Sequence, residues 1–122
     1  MKNKDCIFCK IATGKIPSKK IYENGNFFSI PDAKPAGKGH SLVISKKHFE
    51  TSLDLPDSLA AELLDCVKKT SLKLMKEFDG EGFNVLNNNF ESAGQVVKHL
   101  HFHILPRRKG DGLKGFYLEG KD

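Results

Sequence analysis

Seven residues near the C-terminus, His99-Leu100-His101-Phe102-His103-Ile104-Leu105, constrain this chain more than any other segment. Three histidines alternate strictly with apolar residues. On a strand, successive side chains point to opposite faces, so Leu100, Phe102 and Ile104 face a core and all three imidazoles face away from it. A helix would rotate each successive histidine by about 200° and give no common face. The pattern predicts a strand over residues 96–105, stopped by Pro106. Along it His99 and His103 lie about 13 Å apart. Zinc holds its nitrogens at about 2.0 Å, so one ion cannot take all three rings. At least one histidine has another role. A neutral imidazole is a good nucleophile near neutral pH when an acceptor holds its other nitrogen protonated. Neighbouring imidazoles, Gln95 and backbone N–H groups suit the anionic oxygens of a transferring phosphoryl group.

The remaining pattern builds a small sheet around that strand. Residues 5–11 read as a short helical turn, capped by Asp5 and ended by Gly14. Asn24-Gly25 between residues 20–23 and 26–30 is a hairpin signal. Residues 40–45 and 82–87 read as strands, and 31–39 and 88–94 as loops. One long helix follows Asp54 and Pro56 and ends before Gly80, with Ala60, Leu63, Leu64, Val67, Leu74, Met75 and Phe78 on its core stripe. Cys66 lies near that stripe and reads as a buried small apolar residue. The tail 106–122 reads as irregular. The order hairpin, strand, helix, two strands predicts one α+β domain over 1–122, an antiparallel sheet of about five strands with one long and one short helix.

Composition excludes several classes. With 122 residues the chain holds one domain, and no apolar run approaches the roughly 20 residues of a membrane span. A core this small leaves apolar surface that favours a homodimer. The net charge of +5 suits an anionic ligand, but only Arg107 and Arg108 are arginines and the lysines are scattered, so nucleic acid is disfavoured as a partner. The N-terminal residues carry no secretory signal and the three cysteines are odd in number, which predicts a reducing, cytoplasmic setting.

Cys6 and Cys9 bring two thiols to one side of a turn. A redox pair sits at a helix start after a strand, and this pair precedes any strand, so it reads as half of a zinc site or as two unrelated reduced cysteines.

The seven-residue segment resembles the signature of the histidine triad (HIT) family. The similarity extends to Cys6-Ile7-Phe8-Cys9-Lys10-Ile11, to Gly39-His40-Ser41-Leu42-Val43-Ile44-Ser45-Lys46-Lys47-His48 and to Ala93-Gly94-Gln95. The resemblance implies a small dimeric nucleotide hydrolase or transferase whose protomers join their sheets. It implies His101 as the nucleophile that accepts a nucleoside monophosphate, with His103 and His40 on the phosphate and Asn88, Gly94 and Gln95 lining its site. It implies Asp32 on the ribose hydroxyls and Phe8, Ile11 and Ile30 around a purine, AMP-like base. Read without the resemblance, Asp32 is equally a turn residue beside Pro31, Asn88 a loop residue, and Phe8 and Ile11 plain core. Zinc-binding relatives, including the galactose-1-phosphate uridylyltransferases, imply a structural Zn²⁺ held by Cys6, Cys9, His48 and His99, which leaves His101 and His103 for phosphate. Val96 departs from the family, which usually places Ser or Thr there to assist the leaving group; valine cannot donate a hydrogen bond.

The expected activity is cleavage at the α-phosphate of dinucleoside polyphosphates or nucleoside phosphoramidates through a nucleotidyl-histidine. The alternative is a catalytically weak nucleotide-binding regulatory or scaffold protein.

Overall fold

The computed structural model describes residues 5–113. The order is α1 (Ile7–Ala12), β1 (Tyr22–Glu23), β2 (Phe27–Pro31), β3 (Ser41–Ser45), α2 (Ala60–Glu77), β4 (Gly82–Leu86) and β5 (His101–Arg107), with short 3₁₀ turns before α2 and before β5. The five strands form one antiparallel sheet in the order β1-β2-β3-β5-β4. This is the predicted α+β architecture with one long and one short helix. No helix among the described residues is long and apolar enough to cross a membrane.

Period-two alternation sorts the central strands between two cores. Phe27 of β2, Val43 of β3 and Ile104 of β5 pack with Cys66 and Leu74 of α2 on one face, joined by Phe102. Phe28 and Ile30 of β2 and Leu42 and Ile44 of β3 pack on the other face with Cys6, Phe8 and Ile11. Leu42 pairs with His103 and Ile44 with His101, so these histidines stand on the α1 face. Each fully buried Phe, Ile or Leu contributes about 1.5–3 kcal/mol. The buried Thr70 hydroxyl donates to Ser29 Oγ at 2.7 Å, fixing α2 on β2.

Several boundaries differ from expectation. β5 starts at His101, because residues 97–99 form a bend and the Leu100 N–H after it donates to the Phe49 carbonyl at 2.7 Å. Pro106 does not stop β5. Its pairing with β3 ends at Ile104, and beyond that only β4 lies alongside, where Phe83 faces Pro106. The irregular tail therefore begins after Arg107; residues 114–122 of it lie outside the described residues. Cys6, not Asp5, caps α1, its Sγ accepting from the Cys9 N–H at 3.4 Å. The Asn24-Gly25 hairpin forms, with Gly25 and Asn26 as loop residues and the Asn24 side chain accepting from the N–H groups of Asn26 and Phe27. Leu64 is exposed rather than core.

Candidate functional site

The side chains that carry chemistry gather on the α1 face around the start of β5. Gly39 turns the chain just before His40, at φ 82°. A Cβ there would lie 2.7 Å from the Phe78 ring and 2.9 Å from Pro106, so glycine is needed to bring His40 onto the sheet. Leu100 packs inward at 1% exposure and the bend places the neighbouring His99 fully inside.

Backbone hydrogen bonds assign the histidine tautomers. Nδ1 of His101 stands 2.6 Å from the His99 carbonyl, which can only accept, so Nδ1 carries the proton and Nε2 keeps its lone pair. The Ala36 N–H donates to His40 Nδ1 at 2.9 Å, so the proton of His40 is on Nε2. That Nε2–H lies 3.0 Å from His103 Nδ1 and 3.4 Å from Asp32 Oδ2. His103 therefore accepts at Nδ1 and carries its own proton at Nε2. Burial holds His101 and His40 below the ordinary histidine range. Burial, together with the neighbouring His101 and His40, lowers His103 to about 4. The three rings are thus neutral near pH 7, with a lone pair on His101 and an N–H on His103.

A second cluster joins Cys6, Cys9, His48 and His99, whose ligand atoms all lie within 4.8 Å of one another. Nε2 of His99 donates to the Ser45 carbonyl at 2.7 Å, which leaves a lone pair on Nδ1. That nitrogen faces Cys6 Sγ at 3.1 Å and Cys9 Sγ at 3.5 Å, and His48 Nδ1 lies 3.3 Å from Cys9 Sγ. Ligands around one tetrahedral zinc stand about 3.3–3.8 Å apart, so the set fits such an ion. Burial and the adjacent Cys6 push the Cys9 thiol up to about 11, so its thiolate calls for a cation beside it. Asp32, His40 and His103 also converge within 4.8 Å. There the Ala36 N–H occupies Nδ1 of His40 and keeps a proton on Nε2, which suits hydrogen bonding better than metal binding.

The remaining predicted residues fall as follows. Asp32 is both a turn residue, its Oδ1 accepting from the Lys34 N–H at 2.9 Å, and a neighbour of His40. Phe8, Ile11 and Ile30 share one buried cluster, and the Phe8 ring sits 5.1 Å from that of His101. Gly94 is left-handed at φ 98°, with the Asn88 side-chain nitrogen 3.3 Å from where its Cβ would be. Gln95 is buried, and its amide ties the loop together: Nε2 donates to the Glu50 carbonyl at 2.6 Å and Oε1 accepts from the Phe90 N–H at 2.7 Å. Val96 is 89% exposed. Phe90 adopts φ 73° and ψ 158°, a region that costs a non-glycine residue on the order of 1–3 kcal/mol.

Sequence reasoning did not find the groups that orient the rings. The carbonyls of His99 and Ser45 and the N–H of Ala36 are backbone atoms with no side-chain signature. Asn87, whose Nδ2 donates to the His101 carbonyl at 3.0 Å, was hidden in a run of three asparagines.

Comparison with known proteins agrees with this geometry. The model of the HIT domain matches residues 13–110. A Bacillus subtilis protein named Protein hit is 46% identical over 110 residues, covering 89% of this chain and 76% of its own. A Candida albicans protein named adenosine 5′-monophosphoramidase is 43% identical over 107 residues, covering 84% and 70%. Among solved structures, a HIT family member from Bacillus subtilis superposes with a TM-score of 0.85 at 44% identity over 95% of this chain and 83% of that one. A zinc-bound histidine triad protein from Mycobacterium smegmatis gives 0.85 at 33% identity over 99% and 86%. The alternating histidines, their lone-pair pattern and these similarities converge, and the chain belongs to the HIT family.

Proposed function

We propose that this protein hydrolyses nucleoside monophosphate conjugates, phosphoramidates or dinucleoside polyphosphates, through a nucleotidyl-His101 intermediate. The observation that carries the reading is the 2.6 Å contact from His101 Nδ1 to the His99 carbonyl, which frees Nε2 as a nucleophile. In the first displacement the Nε2 lone pair forms a bond to the α-phosphorus. The P–N or P–O bond to the leaving group breaks, and the leaving group keeps the electron pair and takes a proton from solvent. In the second, a water oxygen attacks the same phosphorus, the P–Nε2 bond breaks and its pair returns to the ring, while the water proton goes to solvent. His103 offers its N–H to the phosphoryl oxygens, and His40 holds the tautomer that makes this possible. Similarity to a protein named for adenosine 5′-monophosphoramidate cleavage supports an AMP-like substrate. Phe8, Ile11 and Ile30 would carry the base, Asp32 the ribose, and Asn88 and Gly94 the phosphate. Gln95 contributes by fixing the loop.

Cys6, Cys9, His48 and His99 would hold a zinc ion, and four protein ligands leave it a structural crosslink that ties α1 to β5. Phe83 and Val85, exposed on the edge strand β4, support a homodimer that continues the sheet. The unbridged Cys6, Cys9 and Cys66 support a reducing, cytoplasmic location.

Brief incubation with adenosine 5′-phosphoramidate followed by intact-protein mass tests the reading. An adenylyl adduct absent from His101→Ala supports it. The exposed Val96, unable to assist a leaving group, favours a second reading, a nucleotide-binding scaffold; tight AMP binding with neither adduct nor turnover supports that one.

A further inference from the structure

Asp32 and His40 close the loop between β2 and β3 and hold each other in place. The Asp32 N–H donates to the His40 carbonyl at 3.0 Å, and the His40 N–H donates to the Gly37 carbonyl at 3.1 Å. The Lys34 N–H donates to Asp32 Oδ1 at 2.9 Å, and Oδ2 of the same carboxylate lies 3.4 Å from His40 Nε2. The Ala36 N–H on Nδ1 keeps the ring proton of neutral His40 on Nε2. That one proton faces two acceptors, His103 Nδ1 at 3.0 Å and the Asp32 carboxylate. The His40 and Asp32 side chains are only 5% and 19% exposed, so water competes little for either.

One proton cannot serve both acceptors fully. An anionic oxygen draws a donor more strongly than a neutral nitrogen does. The carboxylate therefore pulls the His40 N–H partly away from His103. Its charge reaches the other rings too: burial lowers His40, His101 and His103, and Asp32 opposes that lowering in each. A ribose hydroxyl seated on Oδ2 gives the carboxylate a donor of its own, and the His40 N–H then turns to His103. A ring that accepts a stronger hydrogen bond at Nδ1 becomes a stronger donor at Nε2, because bonds in a chain polarise one another. The Nε2–H of His103 is the group offered to the phosphoryl oxygens.

Resting on the hydrolase reading above, with the ribose on Asp32, we propose that Asp32 is a positioning residue that couples ribose recognition to the phosphoryl site through His40 and His103. The ribose hydroxyls then speed the chemical step as well as tighten binding. The site selects ribonucleoside conjugates over 2′,3′-dideoxy ones in kcat and not in KM alone. No covalent bond changes in this coupling; a hydrogen bond moves from one acceptor to another.

The test compares adenosine 5′-phosphoramidate with its 2′,3′-dideoxy analogue. In wild type the dideoxy substrate should lose about three- to tenfold in kcat, the scale of one rearranged hydrogen bond, beyond any rise in KM. Asp32→Ala removes the competing acceptor, so it should raise kcat for the dideoxy substrate while raising KM for the ribose one. A dideoxy kcat in folded Asp32→Ala equal to or below that of wild type overturns the coupling, because a plain ribose ligand has nothing to do with that substrate. Wild-type protein gives a second readout that needs no variant. On ¹⁵N-labelled protein at saturation, AMP should move the His103 Nδ1 resonance further upfield, toward the hydrogen-bonded limit, than 2′,3′-dideoxyAMP does. Equal shifts despite unequal affinities overturn the coupling alone. Equal affinities for the two nucleotides remove the ribose from Asp32, and a wild type that gains no adduct and turns over neither conjugate fails the hydrolase reading; each overturns the proposal at its premise.

Discussion

Replacing His40 with alanine removes a ring that does two things at once. Its Nδ1 accepts the Ala36 N–H at 2.9 Å and its Nε2–H donates to His103 at 3.0 Å, while the side chain is only 5% exposed. Losing two hydrogen bonds at about 1 kcal/mol each, plus part of a buried ring, should cost about 2–3 kcal/mol of stability. For a domain of this size that is a fall in Tm on the order of 10 °C. The catalytic effect is separate. Without the donor at Nδ1, His103 is no longer held with its proton at Nε2, and the phosphoryl oxygens lose an aligned partner. A loss of about 1.4–2.7 kcal/mol in transition-state stabilisation follows, about 10- to 100-fold in kcat, with a smaller change in KM. Steady-state kinetics on adenosine 5′-phosphoramidate measures this at a temperature well below the lowered Tm. Long-range ¹H–¹⁵N correlation on labelled protein reads the His103 tautomer directly. A kcat within twofold of wild type, or a His103 that keeps Nδ1 unprotonated without His40, would refute the tautomer reasoning.

Three further outcomes follow from the same geometry. Because the neutral ring of His101 is the nucleophile and burial lowers its titration from the ordinary 6.5, kcat/KM should hold at pH 6.5 and decline only as pH falls below it; an acid limb centred above 7 would contradict this. His103 is held near 4 against 6.5 when exposed, so the unfolded chain takes up the proton first. Its contribution to stability is therefore present above 6.5 and lost as pH falls toward 4, with a share of the slope approaching about 1.4 kcal/mol per pH unit, to which the other lowered histidines, His40, His99 and His101, add; urea unfolding reads the sum, and a flat profile across that window would contradict the burial of these rings. Protein purified without chelator should carry about one zinc per chain, and Cys9→Ser should lose it and melt earlier; a metal-free wild type would remove the zinc assignment.

Much of β5 was legible because its histidines alternate with apolar residues, whereas β2 and β3 are buried on both faces, read as continuous apolar runs, and have their faces assigned only by the structure. Phe27 and Val43 point to α2, Phe28 and Leu42 to α1, and the apolar partners of the histidines fixed which face β5 turns inward. The seven-residue histidine pattern also located His101 and His103 on one face. What it could not give was the bend at His99. That bend depends on Phe49, fifty residues away in sequence from His99, offering its carbonyl to Leu100. Pro106 misled for a related reason: whether proline ends a strand depends on which neighbours run beside it, and β3 has already stopped there. Leu64 fits the helical stripe but is 57% exposed, so spacing along the helix alone made the stripe too wide. The bonds by which the Gln95 amide closes the loop on Glu50 and Phe90 were not legible, because they exist only once those backbones converge.

Covalent participation of His101 leaves a stereochemical record at phosphorus. Hydrolysis of an adenosine phosphoramidate made chiral at the α-phosphorus with sulfur and an oxygen isotope passes through two in-line displacements, each inverting the centre. A nucleotidyl-His101 intermediate gives net retention of configuration in the product nucleotide. Net inversion would mean that water attacks the substrate directly, with His101 never bonded to it.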